Sequence, residues 1–107
     1  MKQIVISGTG VFTPEESITN QELVKAYNSY AESYNLANKD DITQGNKVEL
    51  ELSDAEFIFN ASGIQNRFVM DKKGILDPNI MHPILKRRSN DEPSILAEMS
   101  LKAAQKA

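Results

Sequence analysis

The 107 residues carry 12 Lys and Arg against 15 Asp and Glu, a net charge of -3, with 40% hydrophobic residues and no cysteine. That balance leaves no clustered basic excess for a nucleic-acid footprint, and no run approaches the ~20 apolar residues of a membrane span. The missing cysteines exclude disulfides, thiolate metal sites and a cysteine nucleophile from these residues, and a chain of this length holds one domain at most, with a modest core.

Taken in order, Gln3 to Ser7 is a β-branched apolar run ended by Gly8, which predicts a first strand buried inside an α/β sheet. Gly8-Thr9-Gly10 lacks the third glycine of a dinucleotide fingerprint, and Pro14 arrives where a helix should already run. A tight turn is expected there rather than a phosphate cradle. Thr19 and Glu22 form a capping box, with Ile18 and Leu23 as a hydrophobic staple, so a helix starts near Thr19 or Asn20. Leu23, Val24, Tyr27, Tyr30, Ala31 and Tyr34 continue it with a partly aromatic face, read first as packing and second as a cofactor box or subunit contact.

Asn38 to Asn46 is polar and predicts a mobile loop, and Asp40 with Asp41 has no further ligand at metal-binding spacing. Lys47 to Leu52 alternates Val48, Leu50 and Leu52 against Glu49 and Glu51, which fits a short edge strand or an extended lead-in. Ser53 with Glu56 reads as a second capping box and predicts a helix from Ser53, with Phe57, Ile58 and Ala61 on one face. Gly63 supplies a left-handed stop, and Ile64 is placed to fold back on Phe59 in a Schellman motif. Phe68-Val69-Met70 is a second apolar run, closed by the turn Asp71-Lys72-Lys73-Gly74. Ile75 to Arg88 holds Pro78 and Pro83 and predicts a long ordered loop with one helical turn around Asn79 to Met81. His82, the single histidine, has no serine or carboxylate at suggestive spacing and reads as non-catalytic. Lys86-Arg87-Arg88 is a basic run, read first as solvated and second as a docking patch. Pro93 suits position N1 of a last helix whose Ile95, Leu96, Met99, Ala103 and Ala104 form a stripe fit to pack on a sheet. That helix shows no stop signal, so more protein is expected to follow.

Ser53-Asp54 through Ser62-Gly63-Ile64-Gln65-Asn66-Arg67 resembles the ketoacyl-ACP synthase III family, whose members read Thr-Ser-Asp-x-Trp and then Thr-Gly-Ile-x-x-Arg. Ile6-Ser7-Gly8-Thr9-Gly10, Pro14 and Thr19-Asn20 resemble the family's opening strand, Gly-x-Gly turn, proline and helix start. Ser94 to Ala107 resembles its alanine-rich helix after the arginine. The resemblance covers three blocks, with inserts at roughly 34–52 and 71–91, and its force lies in their order.

The resemblance implies an α/β, partial thiolase-like fold with an N-terminal strand, about three helices and long loops. Residues 1–107 would be the N-terminal fragment of the first half-domain, incomplete without the rest of the enzyme. The implied parent is cytoplasmic and condenses an acyl thioester with malonyl-ACP in fatty acid biosynthesis, releasing carbon dioxide. The family's cysteine, histidine and asparagine match nothing here, so the resemblance places no catalytic residue in this chain, expects it to be inactive alone, and calls for no cofactor or metal. It points to Ser53, Phe57 and Arg67 for substrate or coenzyme A binding and to Lys86, Arg87 and Arg88 for ACP docking. The implied partners are acyl-CoA or acyl-ACP, malonyl-ACP, and the remainder of the enzyme or a homodimer partner. In the family an aromatic and an arginine one turn apart hold the coenzyme's adenine. Phe57 stands at the aromatic position, but Ala61 stands where the arginine would, removing a cation-π contribution of about 0.5–2 kcal/mol. Fatty-acid elongation, hydroxymethylglutaryl-type, head-to-head hydrocarbon and quinolone-forming relatives fit equally. The alternative of another class is a stand-alone, non-catalytic α/β module that binds an acyl carrier or completes another subunit.

Overall fold

The computed structural model describes residues 2–107. They form a mixed α/β chain with a two-stranded sheet and five helices rather than about three. Two compact units result, one spanning Glu15–Leu85, the other joining the residues before Glu15 to Lys86–Ala107.

In the larger unit, β1 (Glu16–Thr19) leads directly into α1 (Asn20–Ala37). The Thr19 hydroxyl accepts from the Glu22 N–H at 3.1 Å, and the Glu22 carboxylate accepts from the Thr19 N–H at 3.0 Å, completing the capping box. Two of the helix's free amides are thereby satisfied, as the sequence predicts. The core gathers at this junction: Ile18 is 1% exposed, and Asn20, Ala26 and Ala31 are buried. Asn20 donates its side-chain amide to the Ile64 carbonyl at 2.6 Å and its backbone N–H to Gln65 at 3.1 Å. Those bonds bring up β2 (Asn66–Val69), which pairs antiparallel with β1 and sets Arg67 opposite Ile18.

The sheet therefore comes from Glu16–Thr19 and Asn66–Val69, and the predicted strand at Gln3–Ser7 does not form. Ile4, Val5 and Ile6 stand exposed. A strand is defined by ladder partners, and among the described residues none pairs with this run. The polar stretch after α1 is likewise more ordered than predicted. α2 (Lys39–Thr43) occupies it, with Asp40 and Asp41 in a first turn whose dipole favours them. The expected turn at Asp71 to Gly74 is instead the start of α4 (Lys72–Leu76), where Asp71 accepts from the Ile84 N–H at 2.7 Å. Gly74 is required there, since a Cβ would lie 2.5 Å from the Asp71 carboxylate and 2.6 Å from the His82 carbonyl. The expected helical turn before Pro83 does form, with the Asp77 carbonyl accepting from Ile80 at 3.0 Å and Met81 at 2.9 Å.

α3 (Ala55–Ser62) starts one residue later than predicted. Asp54, not Ser53, caps it, accepting from the Phe57 N–H at 2.7 Å. The Ser53 N–H that Glu56 would have capped is already taken by Asn28 at 2.9 Å, and Asp caps as well as Ser. Gly63 ends the helix at φ 70°, donating to the Phe59 carbonyl at 2.7 Å. The Ile64 N–H turns to the Ser62 hydroxyl at 3.2 Å, so the stop is the simple left-handed motif rather than a Schellman motif.

In the smaller unit, α5 (Ile95–Lys106) is capped by Ser94, whose hydroxyl accepts from the Ala97 N–H at 3.2 Å. Pro93 thus precedes the cap instead of occupying N1. Gly8 and Gly10 lie against this helix's last turns, where a Cβ would come within 2.3 Å of the Ala107 carbonyl and 2.1 Å of the Ala103 carbonyl. Close backbone approach, rather than a tight turn, is what these glycines permit. Lys102 lies 5.1 Å over the Phe12 ring and pairs with Glu98 at 2.9 Å.

Candidate functional site: the groove between α1 and α3

Leu23, Val24 and Tyr27 recur on one side of α1 and reach the start of α3, where Phe57 and Ile58 face them across an open groove of about 600 Å³. Leu52 and Ser53 form a further wall, and Met81 closes one side. Met81 holds φ 54°, the one left-handed backbone among the described residues that is not glycine. Such a conformation persists only where surroundings enforce it. Phe57 remains 65% exposed, so its ring is a surface element of the groove rather than core.

The wall at 50–53 is held in an unusual way. Asn35 accepts from the Leu50 N–H and donates to the Leu50 carbonyl, both at 2.9 Å. Asn28 does the same to Ser53, again at 2.9 Å for each bond. The Tyr27 hydroxyl donates to the Glu51 carbonyl at 2.9 Å. The spacing explains the fit: seven helical residues rise about 10.5 Å, and three extended residues span about 10 Å. Two asparagines on one helix face thus imitate a strand edge for a segment running antiparallel to the helix.

The predicted site residues divide. Ser53 and Phe57 meet in the groove. Arg67 lies on β2, half-buried, and does not line it. Lys86 and Arg87 are exposed in the smaller unit, whereas Arg88 is engaged by Glu98 and donates to the Pro93 carbonyl at 2.9 Å. The Glu98 carboxyl is held below its ordinary range by hydrogen bonds from Lys102 and then Arg88. His82 places its Nδ1 3.0 Å from the Pro83 carbonyl. Among the described residues no group of three or more His, Asp or Glu could hold a metal ion. Sequence reasoning missed Asn28 and Asn35, whose seven-residue spacing was the available signal, and it did not join Leu23, Val24 and Met81 to Phe57. Chemically the groove offers an apolar lining with Ser53 and two carboxylates, Glu51 and Asp54, along it. Such a lining is chemically suited to an apolar group that carries a polar end.

No family model matches the chain. Over 84 residues, 78% of its length, it is 46% identical to beta-ketodecanoyl-[acyl-carrier-protein] synthase of Pseudomonas aeruginosa. The chain spans 24% of that relative's length. The matched stretch is thus similar to part of a β-ketoacyl-ACP synthase. No helix among the described residues is long and apolar enough to cross a membrane.

Proposed function

We propose that this chain is part of a condensing enzyme of fatty acid biosynthesis resembling 3-oxoacyl-[acyl-carrier-protein] synthase III, with a thiolase-like fold completed by further protein. The reading rests chiefly on the 46% identity to a synthase acting on an acyl carrier protein. In it, an acyl group is passed from its thioester to a nucleophile outside these residues. Malonyl-ACP then loses carbon dioxide, and its carbanion attacks the acyl carbonyl to form a 3-oxoacyl-ACP longer by two carbons. These residues bind and position; they do not perform the chemistry.

Within that reading the groove beside Phe57 receives part of the acyl-CoA or acyl-ACP, with Ser53 at its wall, while Lys86 and Arg87 are exposed toward an acidic carrier. Ala61 leaves Phe57 without an arginine one turn on, so adenine is held by stacking alone. Large exposed apolar side chains, Ile4, Val5, Ile6 and Leu96 among them, suit coverage by the remainder of the enzyme or a homodimer partner. The enzyme works in the cytoplasm, where its thioester substrates are made.

A chimera tests this. This chain replaces the aligned segment of the Pseudomonas synthase, and condensation of acyl-CoA with malonyl-ACP is measured. Activity within about tenfold of the parent, roughly 1.4 kcal/mol in the barrier, is the expected result. A folded chimera with no condensation would contradict the proposal.

A further inference from the structure

The segment from Val48 to Ser53 makes no backbone–backbone hydrogen bond among the described residues; five bonds to side chains of α1 hold it. Two of its apolar side chains are little covered, Val48 at 83% and Leu52 at 55% exposed. Upstream lies Gly45 at φ 79°, with nothing within 4 Å of where a Cβ would stand, and downstream Asp54 begins α3. The Asn46 and Lys47 N–H groups hold the upstream end on the Asp41 carbonyl at 2.8 and 3.3 Å, and Asn28, Tyr27 and Asn35 pin the segment along its length.

We infer that residues 48–53 form a strap that opens and closes one wall of the α1–α3 groove, with Asn28 and Asn35 as its latches. Opening removes Glu51, Leu52 and Ser53 from the groove together and leaves the apolar side chains Leu23, Val24 and Tyr27 of α1 uncovered. The latches hold the closed state, and because each asparagine offers one donor and one acceptor to one residue, each pin releases as a unit. Water satisfies the freed strap amides and carbonyls when it opens, which keeps opening within reach of local fluctuation. No helix or strand pairing is broken. The strap gates the groove assigned above to the acyl thioester and rests on that reading for its occupant. The motion itself requires no ligand, so the two can fail separately.

Native-state hydrogen exchange tests the strap, with anilinonaphthalene sulfonate as the groove probe. The Leu50 and Ser53 amides should exchange measurably faster than those of α1, yet slower than unprotected amides. Asn28→Ala should accelerate the Ser53 amide on the order of 10-fold, and Asn28→Ala with Asn35→Ala should accelerate both on the order of 100-fold. α1 and the β1–β2 amides should stay unchanged, and dye fluorescence should rise. The milder Tyr27→Phe, which keeps the ring in place, should accelerate the Leu50 and Ser53 amides by a few-fold. Unprotected strap amides in the parent chain would overturn the inference. So would strap amides that exchange only together with α1, or rates in both the double variant and Tyr27→Phe that match the parent's.

Discussion

Two helix starts in the larger unit are each capped by a side chain that accepts from the third helical amide, and they end in opposite surroundings. At Thr19 the cap sits between Ile18 and Asn20, both buried, and strand, helix and the Ile64 carbonyl converge there. At Asp54 the cap is exposed, and the helix it starts presents Phe57 to solvent. Similar caps therefore serve the fold in one place and a surface in the other. Burial, rather than propensity, separates an anchor from a site.

The sharpest way to break that contrast is to empty the anchor. Ile18→Ala should cost about 3 kcal/mol in urea denaturation, within the range for large-to-small changes at a fully buried position. A loss below about 1 kcal/mol would mean that the junction is not the core. Thr19→Ala should cost roughly 1–2 kcal/mol, since it frees the Glu22 amide beside buried groups. Asp54→Ala should cost about 1 kcal/mol and Ser53→Ala roughly 0.5 kcal/mol or less, because Asp54 is the cap and the Ser53 backbone, not its hydroxyl, is held by Asn28. The reverse order would restore Ser53 as the cap.

A pH series sharpens the same contrast. The Glu22 carboxyl is held below its ordinary value of 4.5, first by the Thr19 N–H and then by Lys72 at 3.0 Å. A depressed carboxyl contributes stability that is present above its unfolded pKa and is lost as pH falls through the folded one. Stability should therefore decline below about pH 4.5, and Glu22→Gln should shallow that decline. Asp71 and Glu98 are depressed too and will keep part of the slope. An unaltered slope in Glu22→Gln would remove Glu22 from the anchor.

The two regions also differ in how much of them the sequence displays. The Thr19 start, the Gly63 stop and the final helix depend on residues within four positions of one another, so a short window of sequence displays them. The Ser53 cap fails because two cap-forming residues stand side by side and Asn28, 25 positions away, decides between them. Gln3 to Ser7 has the composition of a buried strand, but composition carries no information on whether a ladder partner is present. Of the groove, Phe57 and Ser53 were legible through the resemblance at their motif. Asn28, Asn35 and Met81 were not, since each is ordinary in its own window and gains its role only from what packs across from it.

On the proposed function, Phe57 belongs to a binding surface and not to the core. The most direct test is Phe57→Ala in the active chimera, comparing the KM for acyl-CoA with the urea midpoint. A raised KM with kcat retained and a midpoint close to the parent's is expected, as suits a ring 65% exposed. A large fall in midpoint with KM per folded enzyme unchanged would contradict it.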